Sequence, residues 1–426
     1  MHTRVQNLSW SHLRPLLRVH DENARIWYMN EAVHIYDNWW TIQPNRGTIL
    51  ITCTPLLSDV RFCVLFLLMN KDTKWLLFDC HEDEFGFVTG KEIEWYTELR
   101  PIGYDNIGDF LDARKAPKHR KHIAELLKKY GCESIENFLK LTHALSLNDT
   151  FWVKEPESPL SWNEVSLYRN EFDELVSNAA FDGVISSTTL SSTSPEFGTD
   201  GAYAKCWQRE KGTTYLYKSG SDTYEIEPLS EFLATQVADI LCRNNVKYEL
   251  TFYHGRLASR CKLFTSEQFG LAKMSTLPIS NRRNPAALLK FAEQYGGEYL
   301  MRRMFVLDAL ILNLDRHLGN VGFLFDNDSM RIVGIAPVYN NNRSLLFQFD
   351  TETLEKNTEW CISKCEPRIG GDFNRTAQAM LTDELRLELK NMAGFRFREP
   401  IDIEVPKDRL EALSKILNLQ LNKILQ

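Results

Sequence analysis

The stretch that most constrains the fold is residues 310–346, where a helix end, a polar loop and a hairpin follow one another. An apolar, helix-like run leads directly to Asp315, and Asn320 stands five residues later. Two strand-like segments come next, and the stretch closes in a polar turn that contains Asn340. A carboxylate accepts protons, and amide oxygens bind divalent cations. This order therefore predicts a reactive loop held between a helix and a hairpin.

The spacing of Asp315 and Asn320 resembles the catalytic loop of protein kinases. In kinases, the Asp accepts the proton of the attacking hydroxyl and the Asn holds a magnesium ion on the phosphates. A second metal ligand, normally an Asp, follows one strand pair later, and that position is Asn340 here. We therefore predict Asp315 as the catalytic base and Asn320 and Asn340 as the metal positions, with one ligand altered.

Bulk composition places the chain among ordinary globular proteins. Its 426 residues predict two or three compact units. The net charge of −7 argues against direct nucleic-acid binding by electrostatics. The apolar run Phe62–Met69 is too short to span a membrane, and the first ten residues hold no apolar signal core. Nine scattered cysteines favour a reducing compartment, and we expect ordinary thiols rather than zinc ligands at Cys361 and Cys365. The prediction is a cytoplasmic protein without membrane contact.

A glycine-bearing loop precedes two strand-like runs in the middle of the chain. The loop follows a Ser- and Thr-rich stretch, residues 186–194, and contains Gly198, Thr199 and Gly201 before Lys205. Backbone N–H groups of such a loop can bind phosphates, but a plain flexible loop fits the same composition.

A strand lysine and a helix glutamate follow this loop in the order seen in kinases. Lys218 ends a strand, and the helix opened by Pro228 carries Glu231 in its first turns. In kinases, this ion pair positions the nucleotide phosphates. The segment that includes Leu263 and Thr265 is where a kinase places the backbone groups that bind adenine.

The motif order resembles the HipA-like serine/threonine kinases, the toxin kinases of bacterial toxin–antitoxin modules and their single-gene relatives. The resemblance covers residues 140–426, and its most specific segments are DRHLGN (315–320) and APVY (336–339). It implies an α+β, protein-kinase-like fold of two lobes, a β-rich ATP lobe and a helical lobe, here with an N-terminal α/β extension. The expected ranges are 1–110 (sheet-rich domain), 111–180 (helical lead-in), 181–268 (ATP lobe) and 269–426 (catalytic lobe).

The resemblance also implies site roles and partners. The catalytic group would comprise Asp315, Lys218 and Glu231, with magnesium at Asn320 and Asn340. ATP would lie against residues of the glycine-bearing loop, the strand lysine and the adenine-binding segment: Gly198, Thr199, Gly201, Lys205, Lys218, Leu263 and Thr265. Relatives can autophosphorylate near this loop, which indicates Ser194 or Thr199. A protein substrate and a small antitoxin protein are the implied partners.

The departure at Asn340 leaves a second function open. An Asp-to-Asn change removes a negative charge from a site that must hold a hard cation, which predicts weaker magnesium binding and slower transfer. Asn342 stands at a position commonly occupied by Gly, and we expect this change to be tolerated because Asn can adopt the left-handed backbone that Gly usually supplies. Asp326 and Asp328 are better explained as turn residues than as substitute ligands. The alternative to a kinase is a pseudokinase that binds nucleotide and acts through protein contacts, and the third alternative is an unrelated α/β protein.

Overall fold

The computed structural model describes residues 64–83, 86–115, 122–132, 134–184 and 194–426. These residues lie within one compact unit, Cys63–Gln426. The predictions that concern residues 1–63 and the Ser- and Thr-rich residues 186–193 fall outside the described residues. In the ranges given above, no helix is both long enough and apolar enough to cross a membrane.

An antiparallel sheet and three helices form the first layer. The strand order is β3-β2-β1-β4, in which β1 is Leu65–Asn70, β2 is Thr73–Glu82, β3 is Val88–Trp95 and β4 is Phe151–Lys154. The helices are α1 (Ile107–Asp112), α2 (Ile123–Lys129) and α3 (Ile135–Thr142). Apolar side chains from the sheet and from these helices share one core because each element buries one face. The pairing of β1 with β4 joins residues on both sides of the predicted boundary at residue 110.

A second antiparallel sheet carries the predicted strand lysine. Two helices, α4 (Trp162–Val165) and α5 (Glu174–Asp182), and a 3-10 turn (Pro195–Gly198) precede it. Its order is β5-β6-β8-β7, in which β5 is Lys205–Glu210, β6 is Thr213–Ser219, β7 is Tyr248–Tyr253 and β8 is Arg256–Lys262. Helix α6 (Glu227–Leu241) connects β6 to β7, and Pro228 lies in its first turn, as predicted.

The remaining strands form a three-stranded sheet of order β11-β10-β9. They are β9 (Phe269–Lys273), β10 (Gly322–Asp326) and β11 (Ile332–Ile335). Asp326 shapes the turn between β10 and β11, since its Oδ1 atom accepts a hydrogen bond from the backbone N–H of Ser329 at 2.8 Å. Asp328 pairs at 2.6 Å with Lys71, in the β1–β2 turn. The prediction that both aspartates are turn residues is consistent with these contacts.

Helices dominate the C-terminal part of the chain. They are α7 (Pro285–Glu293), α8 (Glu298–Ile311), α9 (Thr351–Lys356), α10 (Thr358–Ser363), α11 (Phe373–Met380), α12 (Asp383–Asn391) and α13 (Lys407–Leu425). Their apolar faces share a core with α6, β9 and β10. The central helix α8 is buried along most of its length, and it delivers the chain to the predicted catalytic loop. Antiparallel sheets followed by helices confirm the predicted α+β class.

Candidate active site

Lys218 and Glu231 form a buried ion pair, as the sequence motifs predicted. Lys218 lies near the end of β6, and its Nζ atom is 2.6 Å from Oε1 of Glu231 in the second turn of α6. The Lys218 side chain is 8% exposed and that of Glu231 is 0% exposed. The hydroxyl of Ser259 donates to the other carboxylate oxygen at 2.6 Å. Ser259 was not predicted, although strand pairing places it directly opposite Lys218.

Asn340 shares the Lys218 ammonium group with Glu231. The Nζ atom of Lys218 donates to Oδ1 of Asn340 at 2.9 Å. The backbone N–H of Asn340 donates to the hydroxyl of Tyr248 at 3.1 Å, and the ring of Tyr248 lies 5.1 Å from Lys218 Nζ. Asn340 therefore contacts the predicted phosphate-positioning lysine directly.

The left-handed residue in this turn is Asn340 itself. Its φ is 60°, whereas Asn342 is absent from the described residues of positive φ. Asn342 therefore does not use the left-handed conformation that Asn allows, and the left-handed residue lies two positions earlier, where the N–H of residue 340 reaches Tyr248. Asn and Asp tolerate this conformation better than most residues.

The predicted catalytic loop begins directly after α8 and is held by its own amide side chains. Leu312 ends the helix with a left-handed backbone of φ 52°. The Oδ1 atom of Asn313 accepts a hydrogen bond from the N–H of Asp315 at 3.0 Å. The Nδ2 atom of Asn320 donates to the Asp315 carbonyl at 2.8 Å. Because the amide nitrogen of Asn320 is engaged in this way, its oxygen is the atom left to bind a cation.

Arg316 joins the predicted catalytic loop to the segment that contains Asn340. It is 3% exposed, and its Nε atom lies 3.0 Å from the carboxylate of Asp308 in α8. Its NH1 atom donates to the carbonyl of Asn320 at 3.0 Å and to that of Tyr339 at 2.7 Å. Sequence reasoning assigned no role to Arg316. The presence of a charged residue inside the most specific motif could have indicated a role for Arg316. Its partners, however, depend on the tertiary structure.

His317 accepts a hydrogen bond that only a neutral imidazole can accept. Its Nδ1 atom lies 3.0 Å from the backbone nitrogen of Gly319, which donates the proton. Burial lowers the pKa of His317, the Asp315 carboxylate opposes this effect, and the guanidinium groups of Arg368 and Arg316 act with burial. A neutral His317 thus helps to shape the 3-10 turn Leu318–Asn320, for which it is the N-terminal cap.

We expect His317→Asn to reduce the loss of stability that acid causes. An unfolded histidine has a pKa of about 6.5. Because the folded pKa is lower, the unfolded state binds the proton first, and the free energy of unfolding falls as the pH drops below about 6.5. Asparagine still offers an oxygen to the Gly319 N–H and does not titrate. Unfolding measured at about pH 7.5 and about pH 5.5 tests this, with His81→Asn on an exposed part of β2 as the control. Equal acid losses in His317→Asn and the unmodified protein would contradict it.

The carboxylate of Asp315 contacts two arginines from later segments of the chain. Its Oδ1 atom lies 2.8 Å from NH2 of Arg368 and 3.8 Å from NH1 of Arg343. Nε of Arg368 also donates to the carbonyl of Leu314 at 3.3 Å. The Asp315 side chain remains 17% exposed, so an acceptor hydroxyl can approach the predicted base from solvent.

The glycine-bearing loop is folded tightly upon itself. Nζ of Lys205 donates to the carbonyl of Asp200 at 2.6 Å, and a Cβ atom at Gly201 would lie 2.1 Å from that nitrogen. The hydroxyl of Thr199 donates to the Pro195 carbonyl at 2.7 Å. The φ of 100° at Gly201 is one that residues with side chains rarely adopt, and the Lys205 ammonium group bonds within the loop rather than extending from it.

Two further contacts describe how this loop is held. Asp200 forms an ion pair with Lys273 of β9. Thr199 accepts a hydrogen bond from Nε1 of Trp207 at 2.9 Å, and Ser194 is buried. A Cβ atom at Gly198 would lie 2.6 Å from the carbonyl oxygen of Leu145. Phosphorylation of Ser194 or Thr199 would therefore require this loop to rearrange.

The predicted adenine-binding residues are engaged within the protein. The N–H of Leu263 donates to the carbonyl of Thr214 at 2.9 Å, which extends the β6–β8 pairing by one residue. The hydroxyl of Thr265 donates to the carbonyl of Leu147 at 2.5 Å. In this structure, the N–H of Leu263 is therefore committed to the sheet, and adenine binding here would have to use other backbone groups.

The donor set fits a nucleotide better than it fits a protein-held magnesium ion. A buried lysine held by a carboxylate suits phosphate oxygens, whereas the predicted metal positions offer two neutral amide oxygens. Within the ranges that the structure describes, no group of three or more His, Cys, Asp and Glu side chains is placed to hold a metal. The two amide oxygens carry no charge, so nucleotide phosphates would have to supply the anionic ligands of a magnesium ion at these positions.

Comparison with solved structures returns the following similar proteins. The proinflammatory kinase CtkA of Helicobacter pylori is 19% identical, with 52% of this chain and 91% of that chain covered and a TM-score of 0.41. HipA of Shewanella oneidensis MR-1, solved with HipB and operator DNA, is 10% identical, with 84% and 99% covered and a TM-score of 0.49. At these identities the likeness concerns the fold alone. No family model and no curated protein matches this chain.

Proposed function

We propose that this protein is a HipA-like protein kinase that transfers the γ-phosphate of ATP to a serine or threonine of a protein target. The observation that carries the proposal is the buried Lys218–Glu231 pair, whose ammonium group also bonds to Asn340. Three predicted motif residues, Lys218, Glu231 and Asn340, are thus joined by hydrogen bonds. A fourth, Asn320, is held through its carbonyl by Arg316. These contacts support the kinase proposal over an unrelated α/β protein.

Each motif residue has a defined task in this reaction. Asp315 accepts the proton of the acceptor hydroxyl while the hydroxyl oxygen forms a bond to the γ-phosphorus. The bond from this phosphorus to the ADP oxygen breaks at the same time. Lys218 donates hydrogen bonds to phosphate oxygens, and Glu231 keeps the lysine oriented. Asn320 and Asn340 would hold magnesium through their amide oxygens, and magnesium neutralises phosphate charge when bound.

We also propose partners and a compartment for this protein. The Shewanella HipA was solved with HipB and operator DNA, and a small antitoxin partner here is compatible with that neighbour. The same neighbour leaves the predicted absence of nucleic-acid contact unsupported. Seven described cysteines are free thiols, which fits the proposed cytoplasmic location.

One observation favours the pseudokinase alternative. The residue at the second metal position is already bonded to an ammonium group, and it carries no charge of its own. Nucleotide could therefore bind through Lys218 without a protein-bound metal, and the protein would then act through contacts with a partner.

Intact-protein mass after incubation with magnesium–ATP tests the proposal. We expect a gain of one phosphate group, and we expect Asp315→Asn to abolish it because the amide cannot accept the hydroxyl proton. If the unmodified chain gains none, calorimetry with ATP distinguishes the two functions further. Binding that requires Lys218, together with no transfer to any protein of a host lysate, would support the pseudokinase and contradict the kinase.

A further inference from the structure

We propose that Arg343 and Arg368 form a subsite that selects acceptor peptides with an anionic group, a carboxylate or a phosphate, beside the acceptor hydroxyl. This inference rests on the proposed function, since it takes Asp315 as the base that the hydroxyl must reach. It adds a substrate class, which neither the kinase motifs nor the fold supplies.

The two guanidinium groups come from separate segments and converge on one carboxylate oxygen. Arg343 follows the turn at Asn340, and Arg368 lies between α10 and α11. Both point at Oδ1 of Asp315, at 3.8 Å and 2.8 Å respectively. Two positive charges thus meet one negative charge, and the immediate surroundings of the base carry a net charge of about +1, counted from these three side chains.

Both arginines keep hydrogen-bonding capacity for a ligand. The Arg343 side chain is 36% exposed and that of Arg368 is 50% exposed. The Nε atom of Arg343 is buried, so the donors that it can offer to a ligand from solvent are those of its terminal NH groups, and its guanidinium lies 5.4 Å from the ring of Phe347. Guanidinium groups bind carboxylates and phosphates through paired N–H donors, and such charge-assisted bonds are strong. An anion that enters this space would use donors that Asp315 leaves unfilled.

The position of the arginines fixes where that anion must be in the substrate. The acceptor hydroxyl has to lie within hydrogen-bond distance of Asp315, so groups close to it in the peptide come next to the arginines. Residues one or two positions from the acceptor are within reach. The chain has a net charge of −7, so its overall field does not favour acidic peptides, and any preference for them must come from local cations.

Matched peptides test the subsite. Each peptide carries one serine acceptor and has Asp, Glu or phosphoserine at one position from −2 to +2, while its partner peptide has Asn, Gln or serine there. For at least one position, we expect kcat/KM to be about tenfold higher with the anion. In the double variant Arg343→Gln/Arg368→Gln this ratio should fall to about one. Arg396→Gln, an exposed arginine after α12, should keep the ratio of the unmodified protein.

The two sources of negative charge give different results in this experiment. If the natural substrate is primed by an earlier phosphorylation, kcat/KM should be higher for the phosphoserine peptide than for the Asp and Glu peptides. If the natural substrate has an acidic sequence, kcat/KM should be comparable for all three peptides. Equal rates with charged and neutral peptides would overturn the inference, as would a preference that survives in the double variant. If Arg368→Gln raised the rate of transfer to every peptide by the same factor, Arg368 would hold Asp315 in an unreactive position and would not bind the anionic group of the substrate. That result would also overturn the inference.

Equilibrium binding separates failure of this inference from failure of the proposed function. Fluorescence anisotropy with a labelled Asp-containing peptide and its Asn partner, in the presence of ADP, needs no transfer. Tighter binding of the Asp peptide that is lost in the double variant would support the subsite even if no peptide were phosphorylated. Equal binding of both peptides would overturn the subsite, and transfer that still requires Asp315 would leave the kinase proposal intact.

Discussion

Asn340→Asp is expected to increase phosphoryl transfer about a hundredfold, which corresponds to about 2.7 kcal/mol of transition-state stabilisation. The physical reason is the proposed metal position, because magnesium prefers carboxylate oxygens and residue 340 offers a neutral amide. The new side chain should fit, since the left-handed backbone of φ 60° suits Asp as well as Asn. Radiolabel transfer and its dependence on magnesium concentration measure the effect.

Two matched variants show whether the gain comes from the site. Asn391→Asp adds the same charge at an exposed position at the end of α12 and should leave transfer unchanged. Asn340→Asp combined with Asp315→Asn should show no transfer, since the proton acceptor is missing. If Asn340→Asp transfers phosphate no faster than the unmodified protein at any magnesium concentration, metal binding at residue 340 does not limit the rate of phosphoryl transfer.

Lys218→Met is expected to lower the free energy of unfolding by about 3–5 kcal/mol and to abolish high-affinity ATP binding. The stability loss follows because the Glu231 carboxylate is 0% exposed and would keep the Ser259 hydroxyl as its hydrogen-bond donor but lose its cation. An unpaired buried charge is among the costliest changes in a protein interior. Thermal unfolding and calorimetry with ATP measure the two effects.

The double variant Lys218→Met/Glu231→Gln separates stability from binding. Removal of both charges should restore most of the lost stability, since a neutral pair of similar volume is often as stable as a buried ion pair. ATP binding should stay weak, because the cation that meets the phosphates is absent. Full recovery of ATP binding in the double variant would show that Lys218 does not contact the nucleotide.

Local patterns predicted the elements that carry the site. The apolar spacing of α8 and the Pro at the start of α6 are local signals, and both helices lie where these signals placed them. The five-residue spacing from Asp315 to Asn320 also produced a direct contact, since a short loop holds its own residues together. The Lys218–Glu231 pair was also predicted correctly, because its strand and its helix are consecutive elements in the order that kinases share.

The tertiary structure alone decided which distant residues meet these motifs. Arg368 reaches Asp315 across more than fifty positions, and Ser259 reaches Glu231 across a strand pairing. The bond from Lys218 to Asn340 and the engaged N–H of Leu263 likewise depend on the path of the chain. Sequence periodicity reports which face of an element is apolar, and it carries no information on which remote polar group will lie opposite. The sequence by itself therefore determined the order and local form of the motifs, whereas their hydrogen-bond partners were set by how the strands and helices pack.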